Sequence, residues 1–163
     1  QTLQPTFLGA HAIDPENEHF VEQTIQETLP AVVESFPGLP CDAYCEQGAW
    51  SVEQTTRLFE AAAALGCPLR VHVDQFNSLG MVQVAIDMHA RSVDHLEATA
   101  SADLKRLAES ETIGVALPAS GFHLDDTFAP ARSLIDFGGA VVVHSPFIVF
   151  IVFVAIFFPG NRW

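Results

Sequence analysis

The strongest constraint on what this chain can fold into is an alternation of short apolar runs with longer amphipathic stretches. Apolar runs at Thr6–His11, Asp42–Cys45, Leu69–Val73, Ser92–Leu96, Thr112–Leu117 and Ala140–Val143 have the length and content of buried strands. Between them, apolar residues recur at helical spacing over Phe20–Ser35, Ser51–Leu65, about Ser78–Ala90, Ser101–Ser110 and Pro130–Phe137. Pro30 is expected to interrupt or kink the first of these helices. The clearest is Ser51–Leu65, where Ser51 and Gln54 stand three apart as a capping box and Gly66 follows as a C-cap glycine. Ser101 is read as the cap of its own helix. Strands that alternate with helices pair in parallel through right-handed crossovers, so the fold class is α/β.

A doubly wound sheet and a barrel both satisfy that order, and the polar residues separate them. His11, Cys45-Glu46, His72 with Asp74-Gln75, and His95 with Glu97 all fall at or just past C-terminal strand ends. In a β/α barrel those ends converge on one face, where active sites are built. No glycine-rich phosphate loop follows any strand. The expectation is a partial (β/α)8 barrel, six strands being two short of closure. Three histidines on separate strand ends can meet in space, and neutral imidazole is the commonest protein ligand for zinc-like metals. A metal held there would bring the pKa of a coordinated water toward neutrality for hydrolysis. His19, His89 and His123 are read as surface groups. Glu46 is read as lining the pocket mouth or as an exposed loop carboxylate, and Asp74 as fixing backbone at the strand end.

Composition narrows the partners. Seven Lys and Arg against twenty Asp and Glu give a net charge of −13, which argues against nucleic-acid binding. Cys41 and Cys45 have the spacing of a zinc half-site, but no second pair follows, so Cys41, Cys45 and Cys67 are read as buried cytosolic thiols. The chain opens on Gln1 rather than Met, without a basic region leading into an apolar one, and a cytoplasmic protein is expected.

Five segments, TFLGAHA (Thr6–Ala12), DAYCEQGAWSVEQ (Asp42–Gln54), RVHVDQF (Arg70–Phe76), SVDHLE (Ser92–Glu97) and GVALPASGFHL (Gly114–Leu124), together resemble the imidazolonepropionase family of the amidohydrolase superfamily, in family order over about residues 5–143. The resemblance implies a hydrolase of a cyclic amide that opens 4-imidazolone-5-propanoate to N-formimino-L-glutamate in histidine degradation. It implies one divalent metal, zinc or iron, a small-molecule substrate, and strands three to eight of the barrel. His72 matches the strand-five metal ligand. His95 matches the strand-six histidine that bonds the attacking water or the substrate oxygen, and His11 a substrate-contacting histidine. Gln75 stands where many members carry a Glu close to that water; an amide can orient water but cannot take its proton.

The pattern also breaks. The family's strand-one His-x-His pair is not in this sequence, and where a strand-eight Asp is expected Val141-Val142-Val143 runs into His144. The reading is therefore of an incomplete piece, inactive alone, with a barrel portion at 1–143 and an atypical tail at 144–163. Within the tail, Phe147–Phe158 is twelve apolar residues, too short for a membrane-spanning helix, which needs about twenty. Two other functions stay open: another amidohydrolase-type hydrolase or deaminase, or a non-catalytic protein whose apolar tail mediates membrane or partner association. Homo-oligomers are possible because a partial barrel leaves open sheet edges.

Overall fold

The computed structural model describes residues 4–124 and 126–144, together with the backbone of 155–157. In strand β3 (Leu69–Val73), Leu69, Val71 and Val73 are buried while Arg70 and His72 between them are half-buried. Two-residue periodicity thus assigns the apolar set to the face under the helices and the polar set to the opposite face. Strand β2 (Cys41–Cys45) divides in the same way, with Cys41, Ala43 and Cys45 against the core and Asp42 and Tyr44 on the polar face.

Strands β1 (Phe7–Ala10), β4 (Ser92–His95), β5 (Ile113–Ala116) and β6 (Val141–Val143) complete a run of six parallel strands in sequence order. A seventh, β7 (Ala155–Phe157), pairs antiparallel with β6. The rest of the apolar tail lies outside the described residues. Register places Asp42, Arg70 and Ser92 in one row across the sheet, with Tyr44, His72, Asp94 and Val115 in the next. All of these but Tyr44 line a trough of about 1170 Å³, together with His95 and His144. It is larger than most ligand pockets because no described strand crosses opposite the sheet.

Most of the helices pack on the apolar face. Helix α3 (Val52–Ala64) buries Leu58, Phe59 and Ala62, and its capping box forms as the sequence predicts. The Gln54 amide donates to Ser51 Oγ at 3.1 Å, and the Ser51 amide to Gln54 Oε1 at 2.9 Å. Gly66 follows with φ 76°, a conformation that costs glycine nothing.

Two helical expectations are corrected and one is met. The α-helix over Phe20–Ser35 is interrupted just before Pro30. The stretch runs as α1 (Phe20–Gln23), one π turn (Thr24–Thr28) and α2 (Leu29–Ser35), and the wider turn accommodates a proline that has no N–H to give. Helix α4 (Met81–Asp87) starts later than Ser78, because Asn77 and Ser78 are tied into the preceding loop. Ala100, not Ser101, occupies the cap position of α5 (Ser101–Ala108), with extended backbone and no side-chain bond. Helix α6 (Pro118–Leu124) was not expected as a separate element, while α7 (Ala131–Asp136) was.

Candidate functional site

The three histidines read from the sequence meet. His11, just past β1, sits edge-on to His72 with ring centroids 5.0 Å apart, and His72 lies 5.5 Å from His95. Beneath them is a residue that sequence reasoning missed. Asp42 Oδ1 accepts from His72 Nδ1 at 3.0 Å and lies 3.5 Å from His11 Nε2. Its only signal was a charged residue inside an apolar strand. Burial pushes the Asp42 carboxyl up, but the two imidazoles outweigh it and bring its pKa down to about 2. Burial likewise lowers His72, and the bond and charge of Asp42 more than reverse that, so His72 is raised. Asp94 is raised, chiefly by burial. It accepts from Ser92 Oγ at 2.8 Å, and Ser92 in turn accepts from Arg70 Nε at 3.2 Å.

Gln75 is held between two hydroxyls. Tyr44 donates to its Oε1 at 2.9 Å, and its Nε2 donates to Ser120 Oγ at 3.1 Å. The loop that carries it is fixed from below by Glu46. That carboxylate is buried rather than exposed or at a pocket mouth, and it accepts from the Gln47, Phe76 and Asn77 amides and from Asn77 Nδ2. Burial pushes Glu46 up, and these bonds together pull it below the usual carboxylate range. Asp74 accepts from Ser78 Oγ and Thr99 Oγ1, fixing the strand end.

His95 and Leu96 both take left-handed backbone, at φ 84° and 75°. Such angles in residues with a side chain cost on the order of 1–3 kcal/mol each and persist only where the surroundings impose them. Here Leu96 N donates to Val73 O and Ala98 N to Asp74 O. The cysteines take no part. All three are buried and free, and burial first of all pushes Cys41 up to about 12 and Cys45 to about 11, leaving protonated thiols.

His11, Asp42 and His72 each offer a donor atom within 4.8 Å of the others, a group able to hold a divalent cation. Bonds of about 2.0–2.1 Å in a tetrahedral site set neighbouring donors about 3.4 Å apart, close to the 3.0 and 3.5 Å seen here. His11 Nε2 is buried and without a hydrogen-bond partner, so its ring nitrogen suits a cation.

No family model matches the chain. It is similar to an imidazolonepropionase of Herpetosiphon aurantiacus, with 44% identity over 153 residues that take in 86% of this chain and 36% of that protein. One from Alkaliphilus metalliredigens is 39% identical over 150 residues, covering 89% and 36%, and one from Syntrophobacter fumaroxidans 38% over 143, covering 85% and 34%. The matched stretch belongs to the imidazolonepropionase family. The chain spans about a third of the length of these relatives. Among solved structures, an adenine deaminase of Arthrobacter aurescens superposes with a TM-score of 0.66 at 18% identity, over 85% of this chain and 42% of that one. An adenosine deaminase of Xanthomonas campestris with bound zinc gives 0.57 at 12%, over 71% and 30%. These likenesses show the fold: the strands observed here are part of an amidohydrolase-type barrel, as the sequence predicts.

Proposed function

We propose that the protein to which this stretch belongs hydrolyses the ring amide of 4-imidazolone-5-propanoate to N-formimino-L-glutamate. Water adds across a ring carbonyl carbon–nitrogen bond; the carbon ends as a carboxylate and the nitrogen takes a proton. The observation that carries the reading is the meeting of His11, His72 and His95 at strand ends, within a stretch 44% identical to an imidazolonepropionase. A bound zinc or iron would supply hydroxide near neutral pH by acidifying a coordinated water. His72 is the ligand in this reading, His11 faces substrate, and His95 and Gln75 address the water. Gln75, pinned by Tyr44 and Ser120, orients that water without accepting its proton. Because Asp42 joins His11 to His72, a second arrangement has His11 and Asp42 share the cation with His72.

A cytoplasmic location suits three buried thiols free of disulfides. Among the described residues no helix is long and apolar enough to cross a membrane.

The test places this chain in the matching stretch of the Herpetosiphon aurantiacus relative and measures metal content and imidazolonepropionate hydrolysis together. His72→Ala is expected to lose bound metal and at least about a thousandfold in kcat/KM; full metal content in that variant contradicts its role as ligand. His11→Ala with metal retained assigns His11 to substrate, and metal lost assigns it to the cation. A fully metal-loaded protein that leaves imidazolonepropionate intact while opening another cyclic amide, or deaminating one, overturns the substrate.

A further inference from the structure

His95 Nδ1 and Glu97 Oε2 are both buried and face each other at 3.4 Å, and neither atom is satisfied by a hydrogen bond among the described residues. A buried carboxylate oxygen and a buried ring nitrogen facing each other without competitors stabilise one proton between them. The path of the chain explains how they come together. Register sets His95 beside Val73 and, one strand further, Cys45, in the row that faces the helices. The left-handed turn at His95 and Leu96 takes the chain out of the pleat and brings Glu97 back against the ring. Glu97 keeps only 3% of its side chain exposed, and His95 still lines the trough.

We propose that Glu97 is the positioning residue for His95. Its carboxylate accepts from Nδ1–H and so fixes the tautomer in which Nε2, the nitrogen left to the trough, carries a lone pair. The inference deepens the hydrolytic reading and rests on it for its purpose. Gln75, an amide, cannot take a proton from water. A proton leaving water then needs another acceptor within the same group of side chains, and Nε2 of His95 is the one that Glu97 prepares. When Nε2 takes that proton, the ring becomes an imidazolium, and the charge of Glu97 stays beside it.

The experiment is long-range proton–nitrogen NMR on this chain labelled at histidine nitrogen, without metal or substrate, at a pH where the imidazoles are neutral. His95→Phe assigns the signal. The expected pattern has Nδ1 protonated and Nε2 bare. Glu97→Gln, whose amide oxygen still accepts, keeps that pattern; Glu97→Met, which fills the same space without an acceptor, shifts His95 toward the Nε2–H form that free imidazole prefers. A residue that served packing alone would give the same tautomer in all three proteins, and that result overturns the proposal. So does an Nε2–H pattern in the unsubstituted chain, which decides the matter even if Glu97→Met does not fold. Since nothing here depends on turnover, a wrong substrate and a wrong role for Glu97 give different results.

Discussion

A carboxylate as buried as Asp42 is ordinarily driven toward its neutral form, and it stays ionised here because two imidazoles lie against one of its oxygens. The consequence for stability can be worked out by sign. Asp42 falls from an ordinary 3.8 to about 2 on folding, so its contribution is present above about pH 4 and is lost as pH falls through 2. His72 rises above its ordinary 6.5, so its contribution is complete below 6.5 and is lost as pH climbs through the raised folded value. Both statements describe one contact and are counted once, at about 2 kcal/mol. In the metal-free chain, the difference in urea unfolding free energy between the unsubstituted protein and Asp42→Asn is therefore expected to be largest from about pH 4 to 6.5 and to shrink on both sides. A difference that stays flat from pH 3 to 9 would show that the pair is not ionic. Asp42 was hidden from sequence reasoning for a physical reason: its partner His72 is thirty residues away, and only the register Tyr44↔His72 brings them together. His11, His72 and His95 were legible because each ends an apolar run.

Strands and helix α3 were readable because their determinants are local: two-residue alternation in Leu69–Val73, and a capping box that needs only Ser51 and Gln54. The start of α4 was not, since Asn77 belongs to Glu46 across thirty-one residues, and a long-range carboxylate overrides the helical preference of the stretch. The loop at 74–80 is thus an element held from outside itself, and Glu46 is its anchor. Replacing Glu46 by Ala leaves the Phe76 and Asn77 amides without their carboxylate acceptor in a partly buried place. The expected cost is about 3 kcal/mol of global stability. Hydrogen exchange gives the sharper reading: protection is expected to fall first at Phe76 and Asn77, while amides of α3 follow only the global change. Equal loss of protection across both would mean that Glu46 supports the core and not the loop. Because Gln75 rides on this loop, the same variant is also expected to loosen its bonds to Tyr44 and Ser120.

Across the whole molecule the sheet has one covered face and one polar one, and its first strand has a partner on one side only among the described residues. Phe7–Ala10 therefore presents unpaired backbone donors and acceptors along its outer edge, beside Leu8 at 56% exposure. An unpaired edge with an exposed leucine is a template for another strand. The opposing influence is the net charge of −13, which repels a second copy at long range. These two effects respond differently to salt. Raising ionic strength from about 0.05 to 0.5 M shortens the screening length from about 14 to about 4 Å, which weakens the repulsion and leaves edge pairing in place. Sedimentation velocity is accordingly expected to show association that grows with protein concentration and with salt. Leu8→Lys, which puts a charge on the edge and removes its apolar contact, is expected to shift that association to at least about tenfold higher concentration, a change of about 1.4 kcal/mol per contact. Association that weakens with salt would point instead to ion pairs between copies, and association indifferent to Leu8→Lys would place the contact away from β1. The same edge is where, in an amidohydrolase-type barrel, the next strand belongs. A copy docked there would compete with the remainder of the barrel, and joining this chain to the missing strands of a relative is expected to abolish the self-association in the same experiment.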